Sequence, residues 1–181
     1  MSILPDPTLT NQKAKETYQK IDDLRGGHHY PGLYVALSNY PELAEAFSNF
    51  GQFLRFKGKL PADIREVAIL TTASSLRIVF EWITHQPNAL EAGLTPQLIQ
   101  RILKNDFLKD YPLYAQVQEL VRIFLSLEKV PQELQDGLIK ELGIEAFLQL
   151  SVIVNFYRMI AGLTIGFEFS IPKEDLSIFS E

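Results

Sequence analysis

The 181-residue sequence contains no cysteine. Disulfides, thiolate metal sites and thiol nucleophiles are therefore excluded, and the absence fits a reducing compartment. Dense basic runs are missing too, so no local Lys/Arg patch is expected. With a formal net charge of -5, the surface repels phosphate backbones, which argues against a nucleic-acid partner. Met1-Ser2-Ile3-Leu4-Pro5-Asp6 has neither a basic start nor a long apolar run, so no secretory leader is expected. There is no glycine-rich phosphate loop, nucleophile elbow or zinc motif. Domain linkers, internal repeats and low-complexity tracts are absent as well, and strand signals are weak. Val79-Phe80 is β-prone, but its flanks read as helix.

What is present is ordinary globular composition, 46% hydrophobic and 22% charged. That is enough for one compact domain over residues 1–181. The most apolar stretch, Phe147 to Phe169, carries Gln149, Asn155, Arg158 and Glu168. A membrane span needs roughly 20 mostly apolar residues, and an arginine near its middle is costly. A cytoplasmic protein with no membrane partner is the expectation.

The pattern is helical nearly throughout. Thr10 or Asn11 can cap a helix running to Leu24 and ending at Gly26-Gly27, with a mostly charged face on the surface. His28-His29-Tyr30-Pro31-Gly32 reads as a loop. Leu33 to Leu37 makes a short apolar turn. Pro41 suits the first position of a helix whose Leu43, Phe47, Phe50, Phe53 and Leu54 form a stripe facing a core or a partner. Lys57-Gly58-Lys59 stops it. Pro61-Ala62-Asp63 opens a helix with apolar and small residues on one face. Ile78 to Glu91 follows, ending at Gly93. Pro87 lies inside it and removes the partner of the Ile83 carbonyl, so a kink is expected. Thr95-Pro96 starts a short helix anchored by Leu98, Ile99 and Ile102. Tyr111 to Leu127 and Pro131 to Leu142 follow, the first with Val117, Leu120, Val121 and Phe124 inward. The last helix, Ile144 to about Leu163, is apolar nearly all round, which places it at the centre of the core or between subunits.

Three groups stand out as chemistry. Glu81 and His85 are four apart on one predicted helix and share a face. Glu66 lies on the preceding helix and would meet them if the pair folds back. A carboxylate–imidazole–carboxylate cluster in an apolar setting separates acid and base roles, because burial raises a carboxyl pKa and a nearby imidazolium lowers it. The plainer alternative is an exposed Glu81–His85 contact worth about 0.3–0.5 kcal/mol, with Glu66 near a helix start where negative charge is favoured. Spacing alone favours the plainer alternative. Asn155, Tyr157 and Arg158 interrupt an apolar helix; they are either satisfied structurally or line a pocket, and an arginine there can hold a carboxylate. Arg77 is placed to do the same. Trp82 reads as core, interface or substrate contact. His28-His29 offers two imidazoles without a convergent third ligand, and no metal or cofactor is called for.

At this point a resemblance becomes visible. Leu60-Pro61-x-x-Ile64-Arg65-Glu66-Val67-Ala68-Ile69-Leu70 resembles the opening signature of the carboxymuconolactone decarboxylase superfamily, which includes the alkylhydroperoxidase D proteins. Glu81-Trp82-x-x-His85-x-Pro87-x-Ala89-Leu90-Glu91-Ala92-Gly93-Leu94 is similar to its continuation. Pro31-Gly32-Leu33-Tyr34 and Pro41-Glu42-Leu43 are similar to its leader. Asn155-Phe156-Tyr157-Arg158-Met159 is similar to its final apolar helix. The likeness covers about residues 31–162. It implies an all-α, single-domain helical bundle assembled as a trimer or hexamer, with sites near subunit contacts. It also implies a glutamate, a Cys-x-x-Cys pair and a histidine in the peroxidase branch. Aligned on Glu66 and His85, the two cysteine positions fall on Ile78 and Glu81. Isoleucine cannot attack a peroxide, so thiol peroxidase activity is not expected.

The resemblance brings the site reading level with the plainer one. Its decarboxylase-like branch implies a lyase acting on a small carboxylated or lactone substrate. Glu66, Glu81 and His85 would then be catalytic, and Arg77, Trp82, Tyr157 and Arg158 would hold the substrate. The alternative is a non-catalytic oligomeric scaffold that keeps the fold. A peroxidase using a metal or cofactor is a third reading, testable by metal analysis.

Overall fold

The computed structural model describes residues 4–24, 32–169 and 178–179. Every regular element among them is helical. The chain packs as two compact units, Met1–Lys57 with Gly162–Ser170, and Gly58–Ala161 with Ile171–Glu181.

In the first unit a 3-10 turn, Pro7–Leu9, leads into α1 (Gln12–Leu24), α2 (Leu33–Leu37) and α3 (Pro41–Gln52), which closes in a π-helical turn, Phe53–Lys57. Local chemistry sets these boundaries. Asp6 Oδ1 accepts from the Thr8 amide at 2.9 Å. Asn11 Oδ1 accepts from the Ala14 amide at 3.1 Å, the contact expected of an N-cap. Proline opens α3, with Glu42 in its first turn. Ile21, Tyr34 and Ala44 form a small core with Tyr18, Leu37 and Phe47 packed on it. The expected stripe divides: Phe47 packs on this core and Leu54 is buried, while Leu43, Phe50 and Phe53 are exposed. The expected end of α1 at Gly26-Gly27 and the His28-His29 loop lie outside the described residues.

The second unit is built around α4 (Ala62–Ser75). It packs against α5 (Val79–Glu91), α6 (Pro96–Leu103) and α7 (Pro112–Ser126), and α7 carries α8 (Gln132–Leu142). Every residue of α4 from Glu66 to Ser74 is buried. Small residues make that possible: Ala68, Thr71, Thr72, Ala73 and Ser74 let neighbours approach on all sides, and the Thr72 hydroxyl donates to the Ala68 carbonyl of its own helix at 2.8 Å. Tyr114 donates to Asp63 Oδ2 at 3.0 Å and ties α7 to the start of α4. Burial, then that hydrogen bond, pushes the Tyr114 phenol up to about 12. Thr95 caps α6 as expected, and α5 continues through Pro87.

The long helix α9 spans Ile144–Gly166. It is long and apolar enough to cross a membrane by length and composition alone. Leu150, Ile153, Val154, Phe156 and Tyr157 are buried, whereas Ile144, Leu148, Val152 and Met159 are exposed. The most completely enclosed element is thus α4, although α9 is the more apolar sequence.

One contact fixes α9 against the start of α4. Gln149 Oε1 accepts from the amides of Lys59 and Leu60, at 2.6 and 2.9 Å. The Gln149 carboxamide lies over Gly58, where an added Cβ would fall about 2 Å from its atoms. Only a glycine admits that approach.

Candidate active site

α4 and α5 form a hairpin. Arg77 takes a left-handed conformation (φ 55) at the turn. Its amide meets the Ser74 carbonyl at 3.1 Å, and the Ile78 amide reaches the Ala73 carbonyl at 2.8 Å. This reversal turns the face of α5 that bears Glu81 and His85 back onto α4.

Glu66, Glu81 and His85 do converge. His85 Nδ1 lies 2.8 Å from Glu66 Oε2. His85 Nε2 lies 3.6 Å from Glu81 Oε2, an ion-pair distance but too long for a good hydrogen bond. The exposed-contact alternative does not describe this geometry: Glu66, His85 and Glu81 are 0%, 1% and 6% exposed.

Two further residues complete the group. Tyr157, from α9, brings its hydroxyl 2.9 Å from His85 Nε2, with the rings edge to face at 5.1 Å. Arg65 Nε donates to Glu66 Oε1 at 2.9 Å. The result is a continuous series, Arg65–Glu66–His85–Tyr157, with Glu81 beside the last link. The sequence offered Arg65 only as a neighbour of Glu66. Its signal was adjacency: a helical arginine next to a carboxylate can fold back along the surface while the carboxylate points inward. Gln149 was visible only as a polar interruption of α9.

Electrostatics assign the acceptor. Burial pushes the Glu66 carboxyl up and is the largest single influence. The hydrogen bond and charge of His85, then those of Arg65, together outweigh it, so the carboxyl is held below the usual carboxylate range. An ionised carboxylate only accepts, so His85 Nδ1 carries the proton of that contact. Nε2 is left as the edge facing Tyr157 and Glu81.

The expected substrate-holding residues are placed differently. Tyr157 joins the cluster. Trp82 is buried on α5, and the Phe179 ring meets it edge to face at 6.0 Å. Arg77 is exposed and its Nη2 donates to the Phe179 carbonyl. Arg158 Nη1 donates to the Phe124 carbonyl on α7 at 3.3 Å, and Asn155 turns back to the Ser151 carbonyl at 2.9 Å. Neither Arg77 nor Arg158 makes a described contact with the four converging groups. Ile78 is buried at the start of α5. No group of three or more potential metal ligands occurs among the described residues.

Residues 41–108 match the family described as Carboxymuconolactone decarboxylase family. That span contains Glu66, Glu81 and His85 but not Tyr157. No curated protein matches the chain significantly. Among solved structures, an uncharacterized peroxidase-related protein from Silicibacter sp. TM1040 is similar at TM-score 0.75 and 13% identity, over 98% of this chain and 95% of that one. The debrominase Bmp8, as a cysteine-to-alanine variant in complex with 2,3,4-tribromopyrrole, is similar at TM-score 0.72 and 13% identity, over 98% and 97%. Its apo form is similar at TM-score 0.67 and 12% identity, over 93% and 92%. At these identities the likeness is one of fold.

Proposed function

We propose, from the match of residues 41–108 to the carboxymuconolactone decarboxylase family, that the chain is a sulfur-free acid/base lyase acting on a small carboxylated or lactone substrate. The observation that carries this reading is the buried contact of His85 with Glu66 on one edge and Tyr157 on the other. The family match supports the choice of substrate class.

The roles follow from the two edges of the imidazole. Glu66 fixes the ring through Nδ1 and offsets the positive charge that forms when Nε2 takes up a proton. Arg65 holds the far oxygen of Glu66 in place. Tyr157 and Glu81 stand at Nε2, where proton exchange with a bound molecule would occur. In a decarboxylation the bond to the departing carboxylate breaks, carbon dioxide leaves, and the electron pair stays on the conjugated residue of the substrate. His85, relayed by Tyr157 or Glu81, returns a proton to carbon and shifts the double bond. Glu81 occupies the position where the peroxidase branch has its second cysteine. Thiol chemistry has no place, because the sequence has no thiol.

Carbon dioxide release from carboxylated unsaturated lactones tests the reading. Wild type should release it, His85→Ala should not, and Tyr157→Phe should be slowed about 10²–10⁴-fold, the usual worth of a positioned proton-transfer group. Full activity in His85→Ala would refute the assignment.

A second reading has one observation in its favour: all four groups are nearly sealed from solvent. As a non-catalytic scaffold, the chain would use the cluster only to lock α4, α5 and α9. Release of no carbon dioxide, with a marked loss of stability in His85→Ala, would favour it. In either reading we place the protein in a cytoplasmic homo-oligomer, a trimer or hexamer. The exposed apolar stripe Ile144, Leu148, Val152 and Met159 supports self-association, and light scattering of wild type against Val152→Lys tests it.

A further inference from the structure

The α4–α5 turn borders a cavity of about 350 Å³ that none of Glu66, Glu81, His85 or Tyr157 lines. Its walls include Ser74, Arg77, Leu103, Lys104, Ile178 and Phe179. Arginine and lysine are the charged residues among the described lining groups. The volume suits a small ligand.

Two features set the chemistry of this cleft. The first is Arg77 itself. The turn after α5 closes with the same pair of hydrogen bonds, Gly93 to Leu90 at 3.0 Å and Leu94 to Ala89 at 2.9 Å. There the left-handed position is a glycine, φ 94. After α4 the corresponding residue is arginine, which carries a steric penalty that glycine avoids. A long cationic side chain is thus held at a strained position on the rim.

The second is what Arg77 and Trp82 hold. Arg77 Nη2 donates to the Phe179 carbonyl oxygen, and the Phe179 ring rests edge to face on Trp82. An acyl oxygen sits on a guanidinium, and an aromatic ring sits on an indole. We propose that this cleft is a binding site for a small carboxylate bearing an aromatic or similarly apolar body, and that Phe179, now one wall of the cleft, holds the places against Arg77 and Trp82 that such a ligand would take. A free carboxylate is the better partner: it offers two oxygens and a full charge to the guanidinium fork, where a peptide carbonyl offers one neutral oxygen. Lys104 adds a second positive charge on the rim. The ligand's ring replaces that of Phe179 against Trp82. This site stands independently of the acid/base reading.

Trp82 is the sole tryptophan in the sequence, so its fluorescence reports the exchange directly. The full chain is titrated with phenylpropionate and, separately, with its uncharged methyl ester. The acid should give a saturable change and the ester should not. Phe179→Ala should tighten binding of the acid by about 2- to 10-fold, the worth of one aromatic contact. Arg77→Gln should weaken it at least about tenfold, with helix content checked by circular dichroism. Equal responses to acid and ester would overturn the proposal. So would unchanged affinity in Arg77→Gln, or no saturable response in both wild type and Phe179→Ala. If Arg77→Gln does not fold, Phe179→Ala decides: tighter binding supports the site, and unchanged binding overturns it.

Discussion

Glu66 Oε2 and His85 Nδ1, nineteen residues apart in sequence, meet at 2.8 Å with neither side chain open to solvent. This contact has a pH signature. The Glu66 carboxyl is held below the usual range, so in the folded state it gives up its proton more readily than in the unfolded chain. The stability it contributes is present above the unfolded value and is lost as pH falls through the lower folded value. Glu66→Gln should remove that part of the acid dependence and cost about 1–3 kcal/mol at neutral pH, the usual penalty for a buried partner lost. Urea midpoints at neutral pH and in acid, compared between the two proteins, check both. A variant as stable as wild type at neutral pH would show that the contact contributes nothing.

Gly58 and Gln149 form a second dependent pair. A methyl at residue 58 would displace the Gln149 carboxamide and strand the Lys59 and Leu60 amides. Gly58→Ala should therefore destabilise by about 1–3 kcal/mol. In a Gln149→Ala background the same substitution should cost far less, because nothing is left to displace. Additive effects in this double-mutant cycle would contradict the clamp.

Leu127 ends α7 in the left-handed region, φ 59, with its side chain 74% exposed. The Glu128 amide reaches the Ile123 carbonyl at 3.1 Å and closes the helix as a glycine normally would. Leu127→Gly gives up little packing and relieves the strain. It should stabilise by about 0.5–1 kcal/mol after glycine's greater unfolded-state freedom is counted. A lowered melting temperature would show that the exposed leucine contributes more than its conformation costs.

Much of the fold was legible because its boundaries are local. Asn11, Pro41, the Thr95-Pro96 pair and Gly143 each end or begin a helix through atoms within a few residues, and each lies where the sequence places it. The Glu81–His85 pair is local as well, four residues apart, and the resemblance carried Glu66 to it across the hairpin. What was hidden is tertiary. Tyr157 is 72 residues from His85, and no periodicity reveals that their polar atoms meet. Hydropathy placed α9 at the centre of the core or between subunits; within the single chain, enclosure on all sides falls to α4. Small size, not apolarity, decides whether neighbours can close around a helix. The cleft at Arg77 was equally hidden, because it exists only where Phe179 meets the α4–α5 turn.

The proton on His85 Nδ1 is the most direct test of the buried chain, read by proton–nitrogen NMR of the imidazole. A hydrogen bond to the Glu66 carboxylate predicts a protected, far-downfield Nδ1–H signal in wild type. That signal should persist in Tyr157→Phe, where only Nε2 changes partner, and should move upfield or vanish in Glu66→Gln. A bare Nδ1, or a signal indifferent to Glu66→Gln, would contradict the proposed relay.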